Sequence, residues 1–195
     1  MELCGSHIGG GLGNVYSSRR EMKGLSDRLS DLERVVEHLE SLVLSPEQGL
    51  PEPVFGLLSR LTPLLGVDLL IKDALGSTLL TWRHDKSYGP GWHVPGGIVR
   101  YKEKVLHRIQ EVARLELRAQ VEIEPTPLTV EEFLMHDRVD RAHIVSMLFR
   151  CQLLVPLDDS SRFNPEAPKS GCWQWHRRCP DNLIREQLRY EPYLR

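Results

Sequence analysis

The first clear pattern in the chain is an apolar repeat of helical type. Between residues 25 and 43, apolar side chains recur in alternating steps of four and three, which is the a/d spacing of a coiled coil. A seam of about three heptads is only marginally stable as an isolated helix, so it must pack on another surface. That surface is either the chain's own domain or a second copy of the chain. We expect a second copy, and therefore a homodimer. The seam consists of Leu25, Leu29, Leu32, Val36, Leu39 and Val43.

The segments on either side of this repeat lack periodicity. Residues 1–20 are rich in glycine and serine, and we interpret them as a flexible arm. The stretch SPEQGLPEP, residues 45–53, contains three prolines and one glycine, which end the helix. The sequence therefore predicts an arm and a helical extension over residues 1–50 and a folded domain over residues 51–195.

The second part of the chain alternates between strand and helix patterns. Leu65–Asp73 and Ser77–Arg83 are apolar runs separated by a short turn, as expected for neighbouring strands. A glycine-rich loop over residues 89–97 leads into a predicted helix, Lys102–Leu117, with a wide apolar stripe. Further strands are predicted in LTVEEFLMHD, HIVSMLFRCQLLV and CWQWH, and a closing helix over Pro180–Tyr190. This order predicts a mixed α/β sandwich.

Composition narrows the class of protein. The 195 residues suffice for one domain with an extension, and 41% hydrophobic and 27% charged residues are ordinary values for a globular chain. A net charge of −2 gives no reason to expect nucleic acid or an anionic membrane as a partner, and no apolar run reaches the length of a membrane span. The four cysteines are scattered, as expected for reduced thiols, so we expect a cytoplasmic protein.

The loop and helix beginning at GWHVPGGIVRYKEK resemble the signature box of Nudix hydrolases. That box has a glycine, a glutamate six positions later, and a terminal pair of glutamates on the following helix. Setting Gly97 as the glycine places Glu103 on the first glutamate and Glu116 on the last. In the family, the helical carboxylates bind a divalent cation that neutralises the diphosphate of the substrate.

The chain departs from the general box at four positions. Glu111 replaces the arginine, Val112 and Leu115 replace the other two glutamates, and Arg118 replaces the closing glycine. One subfamily, the GDP-mannose mannosyl hydrolases, also has apolar residues at those two glutamate positions and keeps only the last glutamate.

The resemblance to this subfamily extends beyond the box. TPLLGVDLLIKDALGSTLLTWR, GWHVPGG and RAHIVSMLFRCQL are similar to its segments in the same order, so the similarity covers roughly Phe55 to Trp175. It implies a Nudix-type α/β/α sandwich, with a mixed sheet between helices, preceded by the N-terminal helical extension.

The resemblance also implies roles for particular residues. The carbonyl of Gly96 and the carboxylate of Glu116 would bind Mg²⁺ or Mn²⁺, with Glu111 as a further candidate ligand. The residues that would contact substrate are Asp68, Arg83 and Gly97, with Arg83 offsetting diphosphate charge, and the catalytic residues would be Arg83 and His143.

Two hypotheses about function remain open at this stage. The first is a metal-dependent hydrolase of a nucleoside-diphosphate-linked small molecule, such as a nucleotide sugar. The second is a binding module with the same fold and no turnover, because Ile98, Lys169 and Ser170 stand where the subfamily has its leaving-group arginine and its Gln-His pair. Structural interpretations also stay open for Asp68, which we expect to pair with Arg83 if it has no functional role.

Overall fold

The computed structural model describes residues 12–85 and 88–195. It divides into one unit that ends at Leu44 and a second unit, Ser45–Arg195. Within the described part of the chain, no helix is long and apolar enough to cross a membrane.

The first unit is a single helix, α1, Leu12–Ser41. It contains the predicted heptad repeat as far as Leu39 and ends before Val43. Its first nine residues, 12–20, fall in the stretch predicted to be a flexible arm. Adding a turn to an existing helix costs far less than nucleating one, so a helix that forms around the repeat extends toward its N-terminus. The rest of the predicted arm, residues 1–11, lies outside the described residues.

The second unit begins with a short 3-10 turn, Pro46–Gln48, and helix α2, Glu52–Leu61. Eight strands follow, with one main helix between the fourth and fifth. The strands are β1 Leu64–Ile71, β2 Thr78–Asp85, β3 Gly89–His93, β4 Gly96–Ile98, β5 Val121–Ile123, β6 Thr129–Leu134, β7 His143–Leu153 and β8 Trp173–His176.

The strands form a mixed sheet and a smaller antiparallel one. In the first, β1 pairs in parallel with β7 and antiparallel with β4, while β5 and β6 pair antiparallel with successive parts of β7. In the second, β2 lies between β3 and β8. The predicted mixed α/β fold is confirmed, and β1 and β2 lie where the two apolar runs predicted strands.

Two apolar clusters cover opposite faces of β1. Val67, Leu69 and Ile71 belong to a cluster with Ile109 and Val112 of helix α3, Val105–Val112. The alternate residue Leu70 belongs to a second cluster that includes Tyr190. Because side chains alternate along a strand, Asp68 lies on the same face as Leu70.

Two helical segments differ from their predictions. Helix α3 begins at Val105 and continues as a π-helical turn, Ala113–Leu117. The predicted closing helix is a 3-10 helix, Arg185–Tyr193, which we call the closing 3-10 helix. Its nine residues are too few for an apolar pattern to distinguish three residues per turn from 3.6.

Candidate active site

Asp68 is a buried carboxylate held by three donors. Its side chain lies on β1 and is only 7% exposed. Oδ2 accepts hydrogen bonds from Ser146 Oγ at 2.6 Å and Tyr190 OH at 2.8 Å, and Oδ1 accepts one from Gln187 Nε2 at 3.3 Å. Burial raises the pKa of Asp68 to about 6, against the lowering effect of the hydrogen bonds and of the Arg83 charge. Asp68 is therefore ionised at neutral pH.

Glycine at position 96 is required by the close approach of Asp68. Gly96 on β4 pairs with Asp68 across the sheet. A Cβ atom added to Gly96 would lie 2.1 Å from Asp68 Oδ1 and 2.8 Å from the Val67 carbonyl oxygen, which no side chain tolerates. The loop glycine therefore allows the backbone to lie directly against the carboxylate.

Glu116 brings a second carboxylate to the same place. It lies in the π-helical turn and is half-buried. Burial raises its pKa to about 7; Arg83 opposes this rise and Asp68 adds to it. The Gly96 amide and the Thr81 side chain also lower this pKa. Single π turns inside α-helices are frequent at functional sites.

Arg83 supplies the positive charge near both carboxylates. It lies on β2, and its side chain is 31% exposed. Its Nε donates to Asp85 Oδ2 at 3.0 Å, and its guanidinium lies 4.7 Å from the centre of the Tyr88 ring. The predicted alternative, a direct Asp68–Arg83 pair, is replaced by the hydrogen bonds from Ser146, Tyr190 and Gln187.

His93 is a buried, neutral histidine at the same site. Burial, followed by the Arg83 charge, lowers its pKa to about 3. Its Nδ1 lies 3.0 Å from the Val94 carbonyl oxygen, so in the neutral ring Nδ1 carries the proton. Nε2 then accepts from Thr81 Oγ1 at 2.9 Å.

Asp68, Arg83 and His93 border a pocket together with Gly96 and Gly97, whereas Glu116 is not among its lining residues. The lining also includes apolar side chains, namely Phe55, Leu64, Phe133, Met135, Ile144 and Ile184. Such a combination suits a small molecule with a charged group and an apolar or ring-shaped part.

Comparison with known proteins identifies the fold. No family sequence model and no curated protein sequence matches the chain. A UDP-X diphosphatase structure matches over 87% of this chain and 92% of its own, with a TM-score of 0.50 and 17% identity. A candidate asymmetric diadenosine tetraphosphate hydrolase from Jonesia denitrificans matches over 69% and 98%, with a TM-score of 0.50 and 20% identity.

A MutT protein from Methanosarcina mazei matches over 68% of this chain and 91% of its own, with a TM-score of 0.51 and 14% identity. These neighbours are Nudix hydrolases. The chain has the Nudix fold.

The Nudix fold brings together most of the residues that the sequence analysis selected. Asp68, Arg83, Gly96 and Gly97 line one pocket, and Glu116 is electrostatically coupled to Asp68 and Arg83. Gly97 packs against the helix, where an added Cβ would lie 2.9 Å from Val112 Cγ2.

Two selected residues lie elsewhere in this Nudix fold. Glu111 forms an ion pair with Arg114, with Nη2 and Oε2 2.8 Å apart, and the Arg114 bond is the main cause of its lowered pKa. His143, the first residue of β7, lies 2.9 Å from Glu132 Oε1 through Nε2 and is not among the pocket-lining residues. Their predicted roles stay predictions.

Glu103 is held by hydrogen bonds from its own loop and from helix α3. Arg108 Nε donates to Oε2 at 2.7 Å and Nη2 to Oε1 at 2.8 Å, and the Arg100 amide donates to Oε2 at 2.9 Å. Despite partial burial, these donors lower the pKa of Glu103 to about 2. The carboxylate thus fixes the loop to the start of α3.

Sequence reasoning missed three residues that hold Asp68. Ser146 lies on the distant strand β7, and Gln187 and Tyr190 lie on the closing 3-10 helix. A charged residue inside an apolar strand signals that donors must exist, because an unpaired buried charge is costly. No local pattern identifies which donors they are.

Proposed function

We propose that the chain is a metal-dependent hydrolase of a nucleoside-diphosphate-linked small molecule, with a nucleotide sugar resembling GDP-mannose as its substrate. The observation that carries this proposal is the meeting of two carboxylates and one guanidinium beside the glycine loop. The charge of Asp68 raises the pKa of Glu116, and the Arg83 charge lowers the pKa of both carboxyls. Such a site suits a cation together with a polyanionic substrate.

The donor set fits a hard cation such as Mg²⁺ or Mn²⁺ when the substrate completes it. Glu116 and the Gly96 carbonyl would hold the ion, with phosphate oxygens and waters as the remaining ligands. Across residues 12–85 and 88–195, no group of three or more His, Cys, Asp and Glu side chains is arranged to hold a metal. The protein alone therefore provides an incomplete coordination shell, and we expect metal and diphosphate to bind together.

Arg83 is the residue suited to bind the diphosphate. A guanidinium donates through a planar fork that matches phosphate oxygens. Tyr88 and Asp85 contact this side chain and hold it at the rim of the pocket. The ionised Asp68 deeper in the pocket then accepts hydrogen bonds from sugar hydroxyls instead of approaching the phosphates.

The apolar side chains that line the pocket suit the nucleoside. Phe55 offers a ring face, with the Arg141 guanidinium 4.9 Å from its centre. Arg141 also pairs with Glu52 at 3.0 Å, and its backbone amide donates to Ser59 Oγ at 3.2 Å. Arg141 is thereby fixed at the mouth, next to the surface on which a base would stack.

The proposed reaction is displacement by water at the sugar carbon. The new bond joins the water oxygen to that carbon, and the bond between this carbon and the diphosphate oxygen breaks. The released nucleoside diphosphate carries the developing negative charge, which Arg83 offsets. The bound cation supplies further charge neutralisation, and the proton of water passes to solvent or to a carboxylate of the site.

A second candidate function is ligand binding without turnover. It is favoured by the ion pairs of Glu103 with Arg108 and of Glu111 with Arg114, which engage both of these carboxylates of the box region. In this case, the pocket binds the nucleotide and releases it unchanged.

Calorimetric titration and product analysis together distinguish the two functions. The protein is titrated with MgCl₂, with GDP-mannose and with both, and each mixture is then assayed for GDP and mannose. A hydrolase binds metal weakly alone, more tightly with nucleotide, and releases both products. Binding without products supports the second candidate, and no binding of either compound overturns both proposals.

Glu116→Gln tests the location of the site. The substitution removes the charge and keeps the size, so we expect the coupling between metal and nucleotide to disappear while the fold persists. Glu122→Gln on the exposed part of β5 is the matched control and should bind as the parent does. Glu111→Gln tests the remaining predicted ligand. Unchanged coupling in Glu116→Gln would contradict this placement of the metal.

A further inference from the structure

Helix α1 presents a continuous apolar face that is exposed from Met22, where the described side chains begin, to Val36. The side chains of Met22, Leu25, Leu29, Leu32 and Val36 are 66%, 59%, 52%, 58% and 43% exposed. Isolated exposed apolar residues are ordinary, but a contiguous stripe on one helix marks an interaction surface. We call this stripe the α1 seam.

The residue types along the α1 seam specify a form of pairing. With Leu25 at position d, the d positions within α1 are leucine, and the a positions include the β-branched residue Val36. A branched residue at a combined with leucine at d favours two-stranded parallel coiled coils. Within α1 the a positions are Met22, Leu29 and Val36, and the d positions are Leu25, Leu32 and Leu39.

We propose that two copies of this chain pair through the α1 seam as a parallel, in-register, two-stranded coiled coil. The charges beside the seam support this partner and this orientation. In a parallel pair, each g residue faces the e residue five positions later on the other helix. Arg28 is at g and Glu33 at e, so an in-register pair of identical chains forms this attractive contact twice.

The antiparallel arrangement lacks this complementarity. There, e positions face e positions, and Glu33 and Glu40 approach like charges on the partner. At the next g position the chain has Val35, which is 55% exposed. It widens the apolar strip on the g side and adds no repulsion to the parallel form.

Sedimentation equilibrium of the full-length chain tests the pairing. The parent protein should be dimeric at micromolar concentration, and Leu32→Glu with Leu39→Glu should be monomeric. Ser30→Glu, at the outward b position, is the matched control and should stay dimeric. A monomeric parent, or a dimer that survives both leucine substitutions, would overturn the proposal. A parent that binds a different protein through the α1 seam and does not pair with itself would also overturn it.

Charge reversal tests the orientation and keeps the apolar seam intact. Arg28→Glu or Glu33→Arg alone turns both contacts repulsive, so each should weaken the dimer by about tenfold in its dissociation constant. The double variant should regain the parent affinity, and a mixture of the two single variants should form heterodimers. Equal affinities for all four proteins would rule out the parallel register, even if the leucine variants fail to fold.

Discussion

At the scale of single residues, the site is defined by two carboxylates that are kept close together at a cost in stability. Burial raises the pKa of both Asp68 and Glu116, which means that their ionised forms are less favourable in the folded protein than in the unfolded chain. Neither residue is explained by packing. Stability sacrificed at a pocket is a common mark of function.

Glu116→Gln should stabilise the protein at neutral and higher pH. The folded-state pKa is about 7, above the usual value of 4.5, so this carboxyl favours folding at low pH and that contribution is lost as the pH rises through 7. Relative to the parent, the variant should gain up to about 3 kcal/mol of unfolding free energy between acidic and alkaline pH. Urea unfolding at several pH values measures this, with Glu122→Gln as the control. A pH-independent difference for Glu116→Gln would contradict the burial of its charge.

Gly96→Ala should be among the most damaging small substitutions. The new Cβ would lie 2.1 Å from Asp68 Oδ1 and 2.8 Å from a backbone oxygen, so β4 must move away from β1. We expect a loss of about 2 to 4 kcal/mol in unfolding free energy. Gly56→Ala in α2 is the control, because its nearest neighbour is Arg60 Nη1 at 3.6 Å. That change should be neutral or stabilising by up to about 1 kcal/mol, and similar losses for both would disprove the close approach.

At the scale of elements, the π-helical turn that continues α3 is followed by a residue with a strained backbone. Arg118 has φ 52° and ψ 34°, a left-handed conformation. Glycine is the usual residue in this conformation at the end of a helix, because it adopts it at little cost. The position corresponds to the closing glycine of the box described above.

Arg118→Gly should therefore be more stable than Arg118→Ala by about 1 kcal/mol, as measured by denaturant unfolding. Both variants lose the same side chain, including its charge near Asp158, so their difference isolates the backbone conformation. If alanine equals glycine at this position, the left-handed conformation is not a source of strain.

The same elements show what sequence reasoning reaches. Apolar runs bounded by turn residues located β1 and β2, and the glycine loop located Gly96 and Gly97 beside a helix. The partners of Asp68 were not predictable, because Ser146 reaches it through the parallel pairing of β1 with β7. Gln187 and Tyr190 belong to the closing 3-10 helix, which lies more than 100 residues after Asp68 in the sequence. Both contacts are long-range, and local periodicity carries no signal for them.

At the scale of the whole molecule, the two units have different physical requirements. Both apolar clusters consist of residues from the second unit, from Val67 onward. This unit thus contains its own core and its own pocket. The helix of the first unit has an apolar stripe without a core, which is the condition under which self-association stabilises a helix.

The closing 3-10 helix also has a consequence for synthesis on the ribosome. Gln187 and Tyr190 follow β8, the last strand in the described part of the chain, and they supply two of the three donors to Asp68. A nascent chain synthesised only as far as β8 contains the described strands of both sheets, yet its Asp68 carboxylate has only Ser146 as a donor. Chains released at that stage should therefore retain secondary structure without a formed binding site.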